Sequence, residues 1–200
     1  MSNDAVDTSK RRFLVALTSA TGAVGAVGFA FPFLASMSPS ARAQAAGAPV
    51  EVDISKLQPG ELIIVEYRKK PIWVLNRTDE MLANLAKLTP RLADPNSEGS
   101  VQPPYAKNQD RARESHKHIL VVEGICTHLG CSPKFRPELA PDDLGKDWLG
   151  GFYCPCHGSR FDLAGRVFSG VPAPRNLLIP KYKYLNDTTI KIGDDSQGAA

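Results

Sequence analysis

Charged, apolar and small residues segregate along this chain and divide it into unlike parts. Residues 2–12 are polar and close on Lys10-Arg11-Arg12, after which Phe13 to Met37 carries no charged residue. At about 1.5 Å per helical residue that run outreaches the ~30 Å hydrocarbon layer of a bilayer, and it is longer than the ~7–15 residues of a secretory apolar region. The pattern predicts a transmembrane anchor over 13–37. Gly22, Ala23, Gly25, Ala26, Gly28 and Ala30 keep it mildly hydrophobic, and Pro32 is expected to bend it near its far end. Basic residues ahead of the anchor place residues 1–12 in the cytoplasm and the rest of the chain on the other side. Residues 38–49, rich in Ala, Ser, Gly and Pro and without apolar periodicity, read as a flexible tether.

From residue 50 the period shortens. Val50 to Leu57 and Glu61 to Arg68 are runs rich in β-branched residues, parted by Gln58-Pro59-Gly60, and Pro71 to Asn76 continues the alternation. Thr78 is placed to cap a helix through Leu88, with Met81, Leu82, Leu85 and Leu88 on one face and Asp79 and Glu80 at its positive end. Asp94 to Glu114, polar and interrupted by prolines, predicts a long surface loop. Further strands are expected at Ile119–Val122, Leu177–Pro180, Lys181–Leu185 and Thr188–Ile192, with Asn186-Asp187 as a hairpin turn. Short strands with few helices indicate a mainly β fold, an antiparallel β-sandwich preceded by one N-terminal transmembrane helix.

Composition narrows the function classes. A chain of 200 residues with 42% apolar and 22% charged residues supports one main core and excludes a disordered or multi-span protein. The net charge of +3 and the single basic triplet of the folded part, Arg68-Lys69-Lys70, are too little for a nucleic-acid surface. That triplet reads as a solvated strand end.

The candidate chemistry lies in the four cysteines, all of which fall in two segments. Cys126 and His128 stand two apart, Cys154 and His157 three apart, so each segment brings one thiolate and one imidazole. Cys131 and Cys156 remain, one per segment, and in an oxidising compartment such a pair can bridge. A structural Cys2His2 zinc site would use the same four ligands but leaves the remaining cysteines and Gly170-Val-Pro-Ala-Pro174 without a role. His116 and His118 read as ordinary exposed histidines, Asp142, Asp143 and Asp147 as solvated turn residues rather than a calcium loop, and Trp148 as local packing.

Cys126-Thr-His128-Leu-Gly-Cys131 and Cys154-Pro-Cys156-His157-Gly-Ser159 resemble the cluster loops of Rieske proteins, those of the cytochrome bc1 complex in particular. Gly170–Pro174 resembles that family's cover loop, and Val52–Leu57 and Pro71–Arg77 resemble the start of its base domain. The resemblance implies one [2Fe-2S] cluster, with Cys126 and Cys154 on one iron, His128 and His157 on the other, and a Cys131–Cys156 disulfide. It implies a cluster-binding subdomain at about 124–175 inserted in the domain of residues 50–195, with Leu129, Ser159, Phe161, Gly170 and Pro172 around the cluster. It further implies a subunit, idle alone, that takes one electron from ubiquinol and passes it to cytochrome c1, with His157 accepting the quinol proton. The partners implied are cytochrome b and cytochrome c1 in a dimeric complex of the bacterial inner membrane, the head in the periplasm.

Ser9-Lys10-Arg11-Arg12-Phe13-Leu14 resembles a twin-arginine export motif with lysine in place of the first arginine. A small-residue cleavage site at Ala41-Arg42-Ala43-Gln44-Ala45 would instead release a soluble periplasmic carrier, similar to the small Rieske subunit of oxidases related to arsenite oxidase. Two departures from the family stand out. Phe161 occupies a position where many members have a tyrosine whose hydroxyl bonds a cysteine sulfur, and Ser132–Gly151 is longer than in mitochondrial members.

Overall fold

A computed structural model describes residues 7–196 of the chain, which falls into two units, Met1–Ala45 and Ala46–Ala200. In the first unit, helix α1 spans Thr8–Ser36 and is capped by Asp7, whose carboxylate accepts from the amides of Ser9 and Lys10. It begins ahead of the apolar run because this cap satisfies its first donors, so Lys10, Arg11 and Arg12 lie on the helix itself. The helix is long and apolar enough to cross a membrane. Pro32 lies inside it. Thr18 and Thr21 return their hydroxyls to the carbonyls of Leu14 and Leu17, which hides two polar groups within the apolar segment.

The tether reading needs correction in part. Six of those residues form a short helix, α2, Ala41–Ala46. Ser40 starts it by accepting from the Ala43 amide, and alanine has the best intrinsic helix propensity of any residue.

The second unit is built of three antiparallel three-stranded sheets. The first joins β1 (Val50–Asp53), β9 (Thr189–Ile192) and β8 (Tyr182–Asn186) in that order; the second runs β2 (Leu62–Tyr67), β3 (Lys70–Asn76), β4 (Ile119–Glu123). The third is β5 (Lys134–Leu139), β6 (Leu149–Tyr153) and β7 (Arg160–Phe161). Helix α3, Asp79–Leu88, carries the expected Thr78 cap, the Met81 amide donating to its hydroxyl. Arg68 and Lys69 form the two-residue turn of the β2–β3 hairpin with φ of 52° and 61°; the turn from β8 to β9 is Asp187-Thr188, one residue beyond the expected Asn186-Asp187, because Asn186 still pairs with Thr189.

The central strand β3 runs Ile72, Trp73, Val74, Leu75 without an exposed side chain, because one face packs on each neighbouring layer. Trp73 stacks on Phe152 of β6 at 5.0 Å between ring centroids, and Phe152 pairs in register with Phe161 of β7. This aromatic contact fastens the third sheet to the base. The two cysteine-bearing loops leave from that junction: one links β4 to β5, the other β6 to β7.

Four expectations are overturned. Ile54–Leu57 leaves the sheet in a turn closed by the Leu57 amide on the Ile54 carbonyl. Leu177–Pro180 is in none of the three sheets, since its backbone bonds to three separate segments at Gly165, Glu123 and Val101. Asp94–Glu114 is no plain surface loop: Ser97, Ala106, Arg111, Ala112 and Arg113 are buried. His116 is half-buried because its ring stacks on Tyr184 at 3.9 Å, and His118 is half-buried with Nδ1 at 2.9 Å from the Arg77 carbonyl. Trp148 is buried with Leu88, Leu92, Leu144 and Phe168, in keeping with a packing role.

Candidate metal centre

The loops at 126–131 and 154–159 share one backbone plan. In the first, the Cys126 amide donates to the Cys131 carbonyl at 2.7 Å and the Gly130 amide to the Cys126 carbonyl at 3.0 Å. In the second, the Cys154 amide donates to the Ser159 carbonyl at 2.8 Å and the Gly158 amide to the Cys154 carbonyl at 2.9 Å. Gly130 and Gly158, each the fifth residue of its loop, take φ of 82° and 77°. A side chain at either would meet nothing within 4 Å, so it is the left-handed backbone, not space, that calls for glycine there.

The loops are joined by a Cys131–Cys156 disulfide with Cα atoms 6.7 Å apart. Cys126 and Cys154 are free and buried, and the Cys154 sulfur lies within 4.8 Å of both disulfide sulfurs. The rings of His128 and His157 stand nearly perpendicular with centroids 4.8 Å apart. His128 is half-buried, and its Nδ1 is shielded from solvent without any hydrogen-bond partner; His157 is exposed.

An unpartnered buried imidazole nitrogen costs about 1–3 kcal/mol unless something coordinates it. Burial pushes the Cys126 thiol up from its ordinary range, which for an isolated thiol would oppose ionisation. A cation among these sulfurs reverses both costs, because a coordinating thiol gives up its proton and a neutral imidazole lends its lone pair. The donor set of two thiols and two imidazoles therefore fits an iron–sulfur group bound by mixed sulfur and nitrogen.

The segment Gly170–Arg175 is bonded to both loops: the Ala173 amide donates to Ser159 Oγ at 3.1 Å, and Thr127 Oγ1 donates to the Arg175 carbonyl at 2.6 Å. Gly170 and Pro172 are exposed on it, and Leu129 is 71% exposed at the tip of the first loop. Phe161 is fully buried in the core cluster that includes Cys126 and Cys154.

Sequence reasoning missed the buried charges around the turn that follows the second loop and β7. Asp162, immediately after β7, accepts from the amides of Ala164 and Arg166 and pairs with the Arg166 guanidinium at 2.7 Å, both side chains fully buried. Arg111 donates to the carbonyls of Ala164, Gly165 and Leu177, and Arg77 to that of Leu163. Desolvation lowers the pKa of Arg77 and of Arg111 to about 10. Charge normally signals surface, so these arginines were hidden by their residue type. Thr127 stands between Cys126 and His128, and that position was the available signal for its role.

Residues 107–183 match the family described as the Rieske [2Fe-2S] domain, and residues 1–40 the one described as the ubiquitinol-cytochrome C reductase Fe-S subunit TAT signal. The chain is 62% identical over 199 residues to the ubiquinol-cytochrome c reductase iron-sulfur subunit of Allochromatium vinosum, an alignment that covers 100% of this chain and 95% of that one. The subunit of the same name from Blastochloris viridis is 40% identical over 195 residues, covering 96% and 97% of the two chains. That from Bradyrhizobium diazoefficiens is 40% identical over 186 residues, covering 92% and 94%.

Proposed function

Because the chain belongs to the family of Rieske iron-sulfur subunits of ubiquinol-cytochrome c reductase, we propose that it carries electrons from ubiquinol to a c-type cytochrome as part of that complex. Cys126 and Cys154 would hold one iron of the cluster, and His128 and His157 the other. The observation that carries the ligand assignment is the buried, unpartnered Nδ1 of His128, in a ring 4.8 Å from that of His157, together with two free buried thiols on the same two loops.

The bound cluster would supply one-electron redox chemistry, within the roughly −150 to +300 mV span of His2Cys2 ligation. The chain's own part is division of labour between the histidines. His128 is half-buried with its Nδ1 shielded, whereas His157 is exposed and would keep an outer ring nitrogen free to accept the hydroxyl proton of a quinol. Leu129 and Pro172, both exposed, flank the loops with apolar surface suited to excluding water from that contact.

Helix α1 would anchor the subunit in a bacterial inner membrane, residues 1–12 on the cytoplasmic side and the head in the periplasm, alongside cytochrome b and cytochrome c1 in a dimeric assembly. All four cysteines of the chain fall in this one site, and a head with one cluster would have to move between donor and acceptor. Residues 38–49 would give it that freedom, since a helix as short as α2 is marginal in water on its own. Deleting residues 41–46 should cut quinol-to-cytochrome c turnover several-fold in membranes whose cluster EPR signal is unchanged. Full turnover with the shortened chain would contradict the moving head.

A further inference from the structure

The segment Gly170–Arg175 has a second fastening, at its C-terminal end. Asn176 directly follows it, is 2% exposed, and uses every polar atom of its side chain. Its Oδ1 accepts from the Val167 amide at 2.8 Å; its Nδ2 donates to the Asp94 carbonyl at 2.9 Å and to Ser97 Oγ at 3.1 Å. Its backbone amide donates to Ser100 Oγ at 3.0 Å, and Ser100 Oγ donates to Asp94 Oδ2 at 2.6 Å. The Asp94 carboxylate also accepts from the amides of Glu98 and Gly99 at 2.7 and 3.2 Å. Residues 94–100 are thus a tight knot around one carboxylate. Ser97 lies fully buried at its inner side with a left-handed φ of 56°, and Asn96, Glu98 and Gly99 are exposed at its outer side.

A serine holds a left-handed backbone at a cost, so the knot is a conformation that its hydrogen bonds maintain rather than one that the chain prefers. Those bonds end on Asn176, and the preceding carbonyl, that of Arg175, is the acceptor for Thr127 between two ligand candidates. An unbroken series of hydrogen bonds therefore runs from a surface loop to the first ligand loop.

We propose that Asn176 and the Asp94–Ser100 knot are positioning elements for the cluster: they set where segment 170–175 sits against Thr127 and so govern how well that segment shields the cluster and tunes its potential. The proposal rests on the assignment of Cys126, His128, Cys154 and His157 as ligands. The effect passes through the Arg175 carbonyl, which accepts from Thr127.

The test uses the full chain in membranes. Ser100→Ala removes the hydroxyl between Asp94 and the Asn176 amide. Asn176→Asp keeps the size and the Oδ1 acceptor but loses both Nδ2 donors, and Thr127→Val keeps the shape of Thr127 without its donor. Decay of the cluster's EPR signal in EDTA is expected to quicken by about fivefold for each hydrogen bond lost, with a midpoint potential displaced from that of the wild-type chain. Ser100→Ala combined with Thr127→Val should quicken decay by less than the product of the two single effects, because both release the same segment. Wild-type decay and midpoint in Ser100→Ala and Asn176→Asp, or single effects that simply multiply, would overturn the proposal. A wild-type chain lacking the EPR signal of mixed cysteine and histidine ligation would overturn the ligand assignment instead.

Discussion

The two cysteine-bearing loops are the same turn built twice with different residues. Each opens on a buried cysteine and passes through a left-handed glycine at the fifth position, and each closes with the amide of its first residue on the carbonyl of its sixth. They differ in what stands between. The first loop has histidine third, leucine fourth and a bridging cysteine sixth; the second has the bridging cysteine third, histidine fourth and serine sixth. The histidine one place later, His157, is exposed, and His128 is half-buried. Their supports differ as well. Only the second loop leads, through β7, into a turn closed by the buried Asp162–Arg166 pair, and the disulfide ties the first loop to the second covalently. One backbone plan thus yields a half-buried histidine and an exposed one.

That comparison can be broken from either side. Asp162→Ala should have the largest effect, because it leaves the Arg166 guanidinium buried without its counter-charge; a loss of about 3–5 kcal/mol is expected in denaturant titration. Replacing both Cys131 and Cys156 by alanine should cost roughly 3.5 kcal/mol by the chain-entropy argument. The same titration checks it, and an unchanged midpoint would show that the loops need no covalent link. The shared plan is sharpened by Gly130→Ala and Gly158→Ala, each expected to cost about 1–2 kcal/mol for the left-handed backbone. Equal losses would support the common turn, and a large loss at one position alone would contradict it. The smallest effect is electronic. Phe161→Tyr would restore a hydroxyl toward a cysteine sulfur, and one hydrogen bond of ~0.5–1.5 kcal/mol to the more negative, reduced form raises the midpoint potential by about 20–65 mV. A redox titration of the variant that gave the wild-type midpoint would remove that explanation of Phe161.

Much of this was legible in the residue order, for reasons that differ along the chain. The anchor, the strands of the base and helix α3 follow from apolar periodicity, which a single sequence displays directly. The site was legible because cysteines are few and all lie in the two loops. What could not be read has a physical cause in each case. Strands β5 and β6 escaped notice because glycines, Pro137 and charged residues break their alternation, and β7 because it is only two residues long. Arg77, Arg111 and Arg166 are buried against backbone carbonyls that only the fold brings together, and no local pattern announces a charged residue with an inward role. Asn176 and the Asp94–Ser100 knot belong to the same class. Their partners are 82 residues apart, and the segment's polarity and prolines gave it the appearance of an exposed loop.

The central claim is that one thiol and one imidazole from each loop hold a common [2Fe-2S] cluster. Pulsed EPR of the reduced full-length chain in membranes tests it most directly. The account predicts coupling of the electron spin to nitrogens of two separate imidazoles, one lost in His128→Cys and the other in His157→Cys. A reduced cluster with no nitrogen coupling, or with coupling that survives in both variants, would contradict it.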